Sequence, residues 1–131
     1  MPTPDVHYTD VEIITHVVKG VFEMRWGSKP NTSTVIRAYE SLTDKIQSTD
    51  APIYVIVDIR ADPAFPLQVT INNSLRISRQ QNFNQWLVVG SNRSARMISS
   101  VLNSMGTAKI LWFDTVDDAL DSVAYAESVE N

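Results

Sequence analysis

The chain has 131 residues, 44% of them hydrophobic, which is close to the commonest domain size and apolar enough to fill one core without staples. The absence of cysteine excludes disulfides, thiolate nucleophiles and cysteine-ligated zinc, and it suits a reducing cytoplasm. A net charge of −4 argues against general nucleic-acid affinity, which needs clustered Lys and Arg in excess.

Met1 to Tyr8 carries Pro2, Pro4 and Asp5 without an apolar run, and no later segment approaches the roughly 20 apolar residues that span a bilayer. The expectation is one soluble, cytoplasmic domain over residues 1–131 with no membrane span. Val11 to Val18 reads as a strand apolar on both parities, Lys19-Gly20 as a tight turn, and Val21 to Trp26 as a second strand. In that second strand Phe22, Met24 and Trp26 share one side, while Val21, Glu23 and Arg25 form a solvated side.

After the breakers Gly27 to Asn31, Thr32 or Ser33 is placed to cap a helix burying Val35, Tyr39, Leu42 and Ile46. Ile53 to Ile59 is a β-branched run with little polar alternation, as expected of a central strand covered on both faces. A loop from Asp58 to Pro66 leads into a helix over about Leu67 to Gln80, with Leu67, Ile71 and Leu75 as its buried row. Trp86 to Gly90 reads as a strand, followed by a helix capped at Ser91 or Asn92. That helix carries Ile98, Val101, Leu102 and Met105, with Gly106 at its left-handed end. Ile110 to Phe113 is the last strand. Thr115 with Asp118 resembles a capping box opening a final helix that buries Val116, Ala119, Leu120 and Val123. Strands separated by helices imply right-handed crossovers, so the fold class is α/β, with a mixed, mostly parallel five-stranded sheet and four helices.

The strand Ile53-Tyr54-Val55-Ile56-Val57-Asp58, the strand Trp86-Leu87-Val88-Val89-Gly90, and Leu111-Trp112-Phe113-Asp114-Thr115 before an acidic helix together resemble the STAS superfamily. More narrowly, the chain resembles the small bacterial sporulation stage II AA-like proteins, relatives of the anti-sigma factor antagonists. The resemblance covers nearly the whole chain. It implies a STAS-like fold and a non-enzymatic regulatory or protein-interaction role exercised through the second and third helices. In antagonists the loop after the central strand leads into an Asp-Ser-Ser-Gly type motif whose serine is phosphorylated. Here Asp58 matches the strand-terminal aspartate, Leu67 or Gln68 stands in the serine position, and Thr70 is the nearest hydroxyl to which a phosphorylation switch could pass.

Three surface readings follow from the residues themselves. Ligands of open α/β sheets sit beyond the carboxyl ends of the strands. That rim gathers Asp58, Arg60 and Asp62, then Ser91, Asn92 and Arg93, then Asp114 with Thr115. Asp58, Arg60, Asp62, Asn92 and Arg93 form the candidate site for a small polar or anionic ligand, although the same residues suit ordinary caps and loop ion pairs. A ligand pocket beneath the second helix is the alternative for a carrier or sensor. Charge is also segregated: Pro63 to Phe113 contains no Asp or Glu but holds Arg76, Arg79, Arg93, Arg96 and Lys109, while every charge beyond Lys109 is acidic. If the second and third helices share a face, Arg76, Arg79, Arg93 and Arg96 would form a patch for an acidic protein partner or a second copy, unless the acidic last helix neutralises it. His7 and His16 are not spaced as a metal pair, and His16 on a strand reads as a packing residue. Trp26, Trp86 and Trp112 are assigned to the core, with Trp86 also placed to edge a pocket. No catalytic, cofactor or metal constellation is expected.

Overall fold

The computed structural model describes residues 6–8, 10–106 and 109–130, with side chains described for 10–106 and 109–126. The order is β1 (Val6–Tyr8), β2 (Val11–Thr15), β3 (Val21–Trp26), α1 (Thr32–Gln47), β4 (Ile53–Asp58), α2 (Leu67–Ser78), β5 (Phe83–Val89), α3 (Arg93–Ser104), β6 (Lys109–Phe113) and α4 (Val116–Glu130). The chain is α/β with a mixed sheet and four helices. Its five expected strands are joined at one edge by the three-residue β1.

The strands lie in the sheet in the order in which they occur in the sequence. β1–β2 and β2–β3 are antiparallel, and β3 to β6 run parallel. This topology decides the layers. Each step from β3 to β6 moves the same way across the sheet, and parallel connections are right-handed, so α1, α2 and α3 must all fall on one face. α4 follows the last strand and is no crossover; it covers the other face.

Two cores result. Under α1 to α3 lie Val11, Ile13, Phe22, Met24, Trp26, Ile53, Val55, Trp86 and Val88, together with the helix residues Val35, Tyr39, Leu42, Ile46, Ile77, Ile98 and Leu102. Under α4, Ala119 and Val123 pack on Val21, Tyr54, Ile56, Leu87 and Val89. β4 contributes to both, as its unalternating apolar sequence required. Burying each large aliphatic side chain here is worth about 1.5–3 kcal/mol.

Local signals explain most of the boundaries. Gly20 has φ 86°, and a Cβ there would overlap the Pro52 carbonyl oxygen, so only glycine makes this turn. α1 is capped by Asn31, not by Thr32 or Ser33: its Oδ1 accepts the Thr34 N–H at 2.8 Å. Asn92 caps α3 in the same way through Ala95 N–H, Gly106 adopts φ 65°, and Thr115 Oγ1 accepts Asp118 N–H at 3.0 Å.

Besides the α1 cap, the first long strand ends at Thr15 rather than Val18, and further expectations change. In α2 the buried residues are Thr70, Asn73, Ser74 and Ile77, while Leu67, Ile71 and Leu75 are only partly buried. The helix packs between α1 and α3, so Leu67, Ile71 and Leu75 serve its flanks, while Thr70, Ser74 and Ile77 face the core. On β3, Val21 and Glu23 are fully buried rather than solvated. Trp112 is exposed, because β6 is the edge of the sheet, although Trp26 and Trp86 are in the core as expected. On α3, Val101 and Met105 are exposed while Ile98 and Leu102 are buried. The side chain of His7 lies outside the described residues.

Candidate functional site

At the carboxyl ends of β3 and β4, Asp58 and Arg60 are brought together. Arg60 donates from Nε to Asp58 Oδ1 (3.0 Å), from Nη2 to Oδ2 (2.8 Å) and from its backbone N–H to Oδ1 (3.1 Å). Burial pushes the Asp58 carboxyl up, but the Arg60 hydrogen bonds and the charges of Arg60 and Arg25 outweigh it and hold the pKa below the usual carboxylate value. The Arg60 guanidinium is raised in return by its bond to Asp58.

This pair is one end of a longer array on the α4 face of the sheet. Arg25 is the register neighbour of Asp58 and lies 3.7 Å from its Oδ2; its Nε donates to Glu23 Oε2 at 3.0 Å. Glu23 Oε1 meets His16 Nε2 at 2.8 Å, so five side chains of alternating character cross three strands. Glu23 is 0% exposed and Asp58 3%. Two carboxylates this deep are tolerable only because each is hydrogen-bonded to a guanidinium. Sequence reasoning found Asp58 and Arg60 but missed Glu23, Arg25 and the partner of His16. The only available signal was Glu23 and Arg25 at alternate positions, which also describes a solvated strand face.

The rest of the rim divides. An open cleft of about 560 Å³ includes Asp10, Glu12, Arg25, Asp58 and Arg60, but neither Asn92 nor Arg93. A second cleft, also about 560 Å³, lies between Gly90, Ser91, Arg96, Trp112, Asp114 and Asp118. Asp62 is an exposed turn residue at φ 60°, its N–H bonded to Ile59 O. Asn92 is occupied twice, capping α3 and donating Nδ2 to Pro63 O at 2.7 Å. Arg93 is exposed on the first turn of α3. The structure therefore joins Asp58 with Arg60 but does not bring Asp62, Asn92 and Arg93 into one site with them.

The four arginines also separate. α2 and α3 both return antiparallel to the strands, so Arg76 and Arg79, in the last turn and at the C-cap of α2, lie at one end of the helical layer. Arg93 and Arg96 open α3 at the other end, roughly 15 Å away along the helix axes. Arg76 bonds Asn73, whereas Arg96 bonds Ser91 Oγ at 2.8 Å and stands 5.7 Å over the Trp112 ring. They make two basic ends rather than one patch. The acidic α4 packs on the opposite face of the sheet, and only the start of it, at Asp118, shares a cleft with Arg96.

Beneath α2 is a cavity of about 50 Å³ bounded by Val57, Ile59, Phe65, Trp86, Ile98 and Leu102, with Tyr39, Thr70, Ser74 and Ser99 supplying hydroxyls. Tyr39 Oη and Ser74 Oγ are 2.7 Å apart, and burial pushes the Tyr39 phenol up to about 12, so it stays protonated. Trp86 edges this cavity and donates its indole N–H to Ser78 Oγ at 2.9 Å. Thr70 is 3% exposed and its Oγ1 donates to Pro66 O at 2.7 Å, which leaves this hydroxyl without access for a kinase.

Among the described residues no three His, Asp or Glu side chains are grouped to hold a metal, and no helix is long and apolar enough to cross a membrane. No protein-family model matches this chain and no curated protein matches it.

Proposed function

We propose that the chain is a non-enzymatic STAS-like binding domain that carries or senses a small, mainly apolar molecule beneath α2. The observation that carries this reading is the cavity and the construction of its roof. The sheet-facing side of α2 is polar apart from Ile77, and three of its polar side chains bond within the helix and its cap. Thr70 bonds Pro66 O, Asn73 Nδ2 bonds Val69 O and Ser78 bonds Ser74 O, each to a carbonyl four residues back. Lifting α2 keeps these three bonds and breaks the Tyr39–Ser74 and Trp86–Ser78 hydrogen bonds, while the floor it uncovers is apolar. The ligand class follows: a hydrocarbon body against Val57, Ile59, Trp86, Val88 and Ile98, with one hydroxyl or carbonyl end near Tyr39 and Ser74.

Titration with straight-chain alcohols of increasing length, read by tryptophan fluorescence, is the test. A saturable response should appear, with affinity rising by about 0.8 kcal/mol per added methylene. It should vanish in Trp86→Phe by loss of signal and in Ser99→Leu by loss of space. A flat response across the series, with nothing co-purified in native mass spectrometry, rejects the reading.

Docking of a protein partner through α2 and α3 is the second reading, favoured by exposed arginines at the two ends of the helical layer, within an acid-free stretch of sequence. Since the ends are separate, Arg76→Glu with Arg79→Glu and Arg93→Glu with Arg96→Glu should weaken partner recovery to different extents. Equal recovery from both double variants and the wild type removes it.

A further inference from the structure

We infer that β6 is a homodimerisation edge, through which two copies of this chain pair antiparallel about a two-fold axis at Leu111. This inference concerns a surface distinct from both the ligand reading and the docking reading and depends on neither. β6 ends the six-stranded sheet. Gly90 N–H donates to Phe113 O, so Phe113, Leu111 and Lys109 turn their peptide groups toward β5, and those of Ile110 and Trp112 point away from the sheet. An exposed edge is normally blunted by shortness, charge, proline or a bulge, and here only Lys109 at the start of the five-residue β6 does so. Ile110-Leu111-Trp112-Phe113 has no charge, proline or bulge.

Beside this edge Leu111 and Trp112 are both exposed, and Arg96 of α3 stands over the Trp112 ring. A two-fold axis at Leu111 brings these exposed apolar side chains of the two copies together.

Charge complementarity selects a second copy over a foreign strand. Antiparallel pairing centred on Leu111 sets Ile110 opposite Trp112 of the other copy, and these are the residues whose peptide groups point outward, so the pair exchanges both hydrogen bonds. Lys109 lies at the start of β6 on the α4 face, in the parity of Leu111 and Phe113. In the pair it comes beside the end of the other copy's β6, which Asp114 follows directly and Asp117 and Asp118 of the first turn of α4 follow next. The match occurs twice. The strip is one five-residue strand long, about 17 Å, which falls at the small end of specific interfaces and makes the dimer a concentration-dependent equilibrium.

Light scattering and sedimentation equilibrium on the full chain over a range of concentrations provide the test. The wild type should give a dimer mass that reverts to monomer on dilution. Leu111→Lys sets two ammonium groups against each other at the axis, and Lys109→Glu sets a carboxylate against carboxylates; each should raise the dissociation constant by at least about ten-fold. Lys109 is exposed, so Lys109→Glu reads the interface even if Leu111→Lys perturbs the fold, which circular dichroism checks. The double variant Lys109→Asp with Asp114→Lys should recover most of the wild-type association. A monomer mass up to about 1 mM overturns the proposal and leaves the edge to a strand from another protein. A dimer unaffected by every variant overturns it too, because the contact then lies elsewhere.

Discussion

Asp58 shows how a single residue can be legible in type and illegible in role. Its place at the end of an apolar strand marks the rim of the sheet, yet both of its oxygens are taken by Arg60 and one is shared with Arg25. Its folded pKa is depressed, so the stability it contributes is complete above the unfolded value of about 3.9 and is lost as pH falls through the lowered folded value. Asp58→Asn should therefore cost about 1–3 kcal/mol at neutral pH and flatten the acid limb of a stability-against-pH curve measured by urea unfolding. An unchanged acid limb would mean that the Asp58–Arg60 bonds are no stronger than their hydration. Glu23 was less accessible to reasoning from sequence. An acidic residue between two apolar ones on a strand reads as solvent-facing, and only the arrival of His16 and Arg25 from neighbouring positions makes its burial possible.

The helices make the same point at larger scale. α1 announced its buried row because Val35, Tyr39, Leu42 and Ile46 are apolar at helical spacing, and each is at most 4% exposed. α2 did not, since Thr70 and Ser74, which face the sheet, carry no hydropathy signal while the apolar Leu67, Ile71 and Leu75 sit on its flanks. The two helices should differ in local stability. Amide exchange in α2 should run faster than in α1 and slow on saturation with an apolar ligand, measurable by hydrogen–deuterium exchange mass spectrometry. Equal protection of both helices would count against a displaceable roof. Cap positions were legible to within a residue or two because Asn, Thr and Gly have few competing uses at helix ends.

For the whole molecule, strand order and helix layers follow from one rule. Hydrophobic runs separated by helical spacing imply parallel strands, and right-handed connections then place α1, α2 and α3 on one side. The distribution of charge was readable as a pattern but not as a surface. An acid-free segment in sequence became two basic ends separated by the length of a helix, and the acidic helix crossed to the other face. Position along a helix, which composition does not record, decided both outcomes.

Because each strand pairs with the one before it, the sheet grows outward in the direction in which the ribosome delivers the chain. At every stage of synthesis the newest strand is an open edge, and the next strand to emerge closes it. A pause in translation between β4 and β5, or between β5 and β6, would therefore hold a hydrophobic edge uncovered. Those two intervals are the places where a nascent chain of this protein would most need a chaperone.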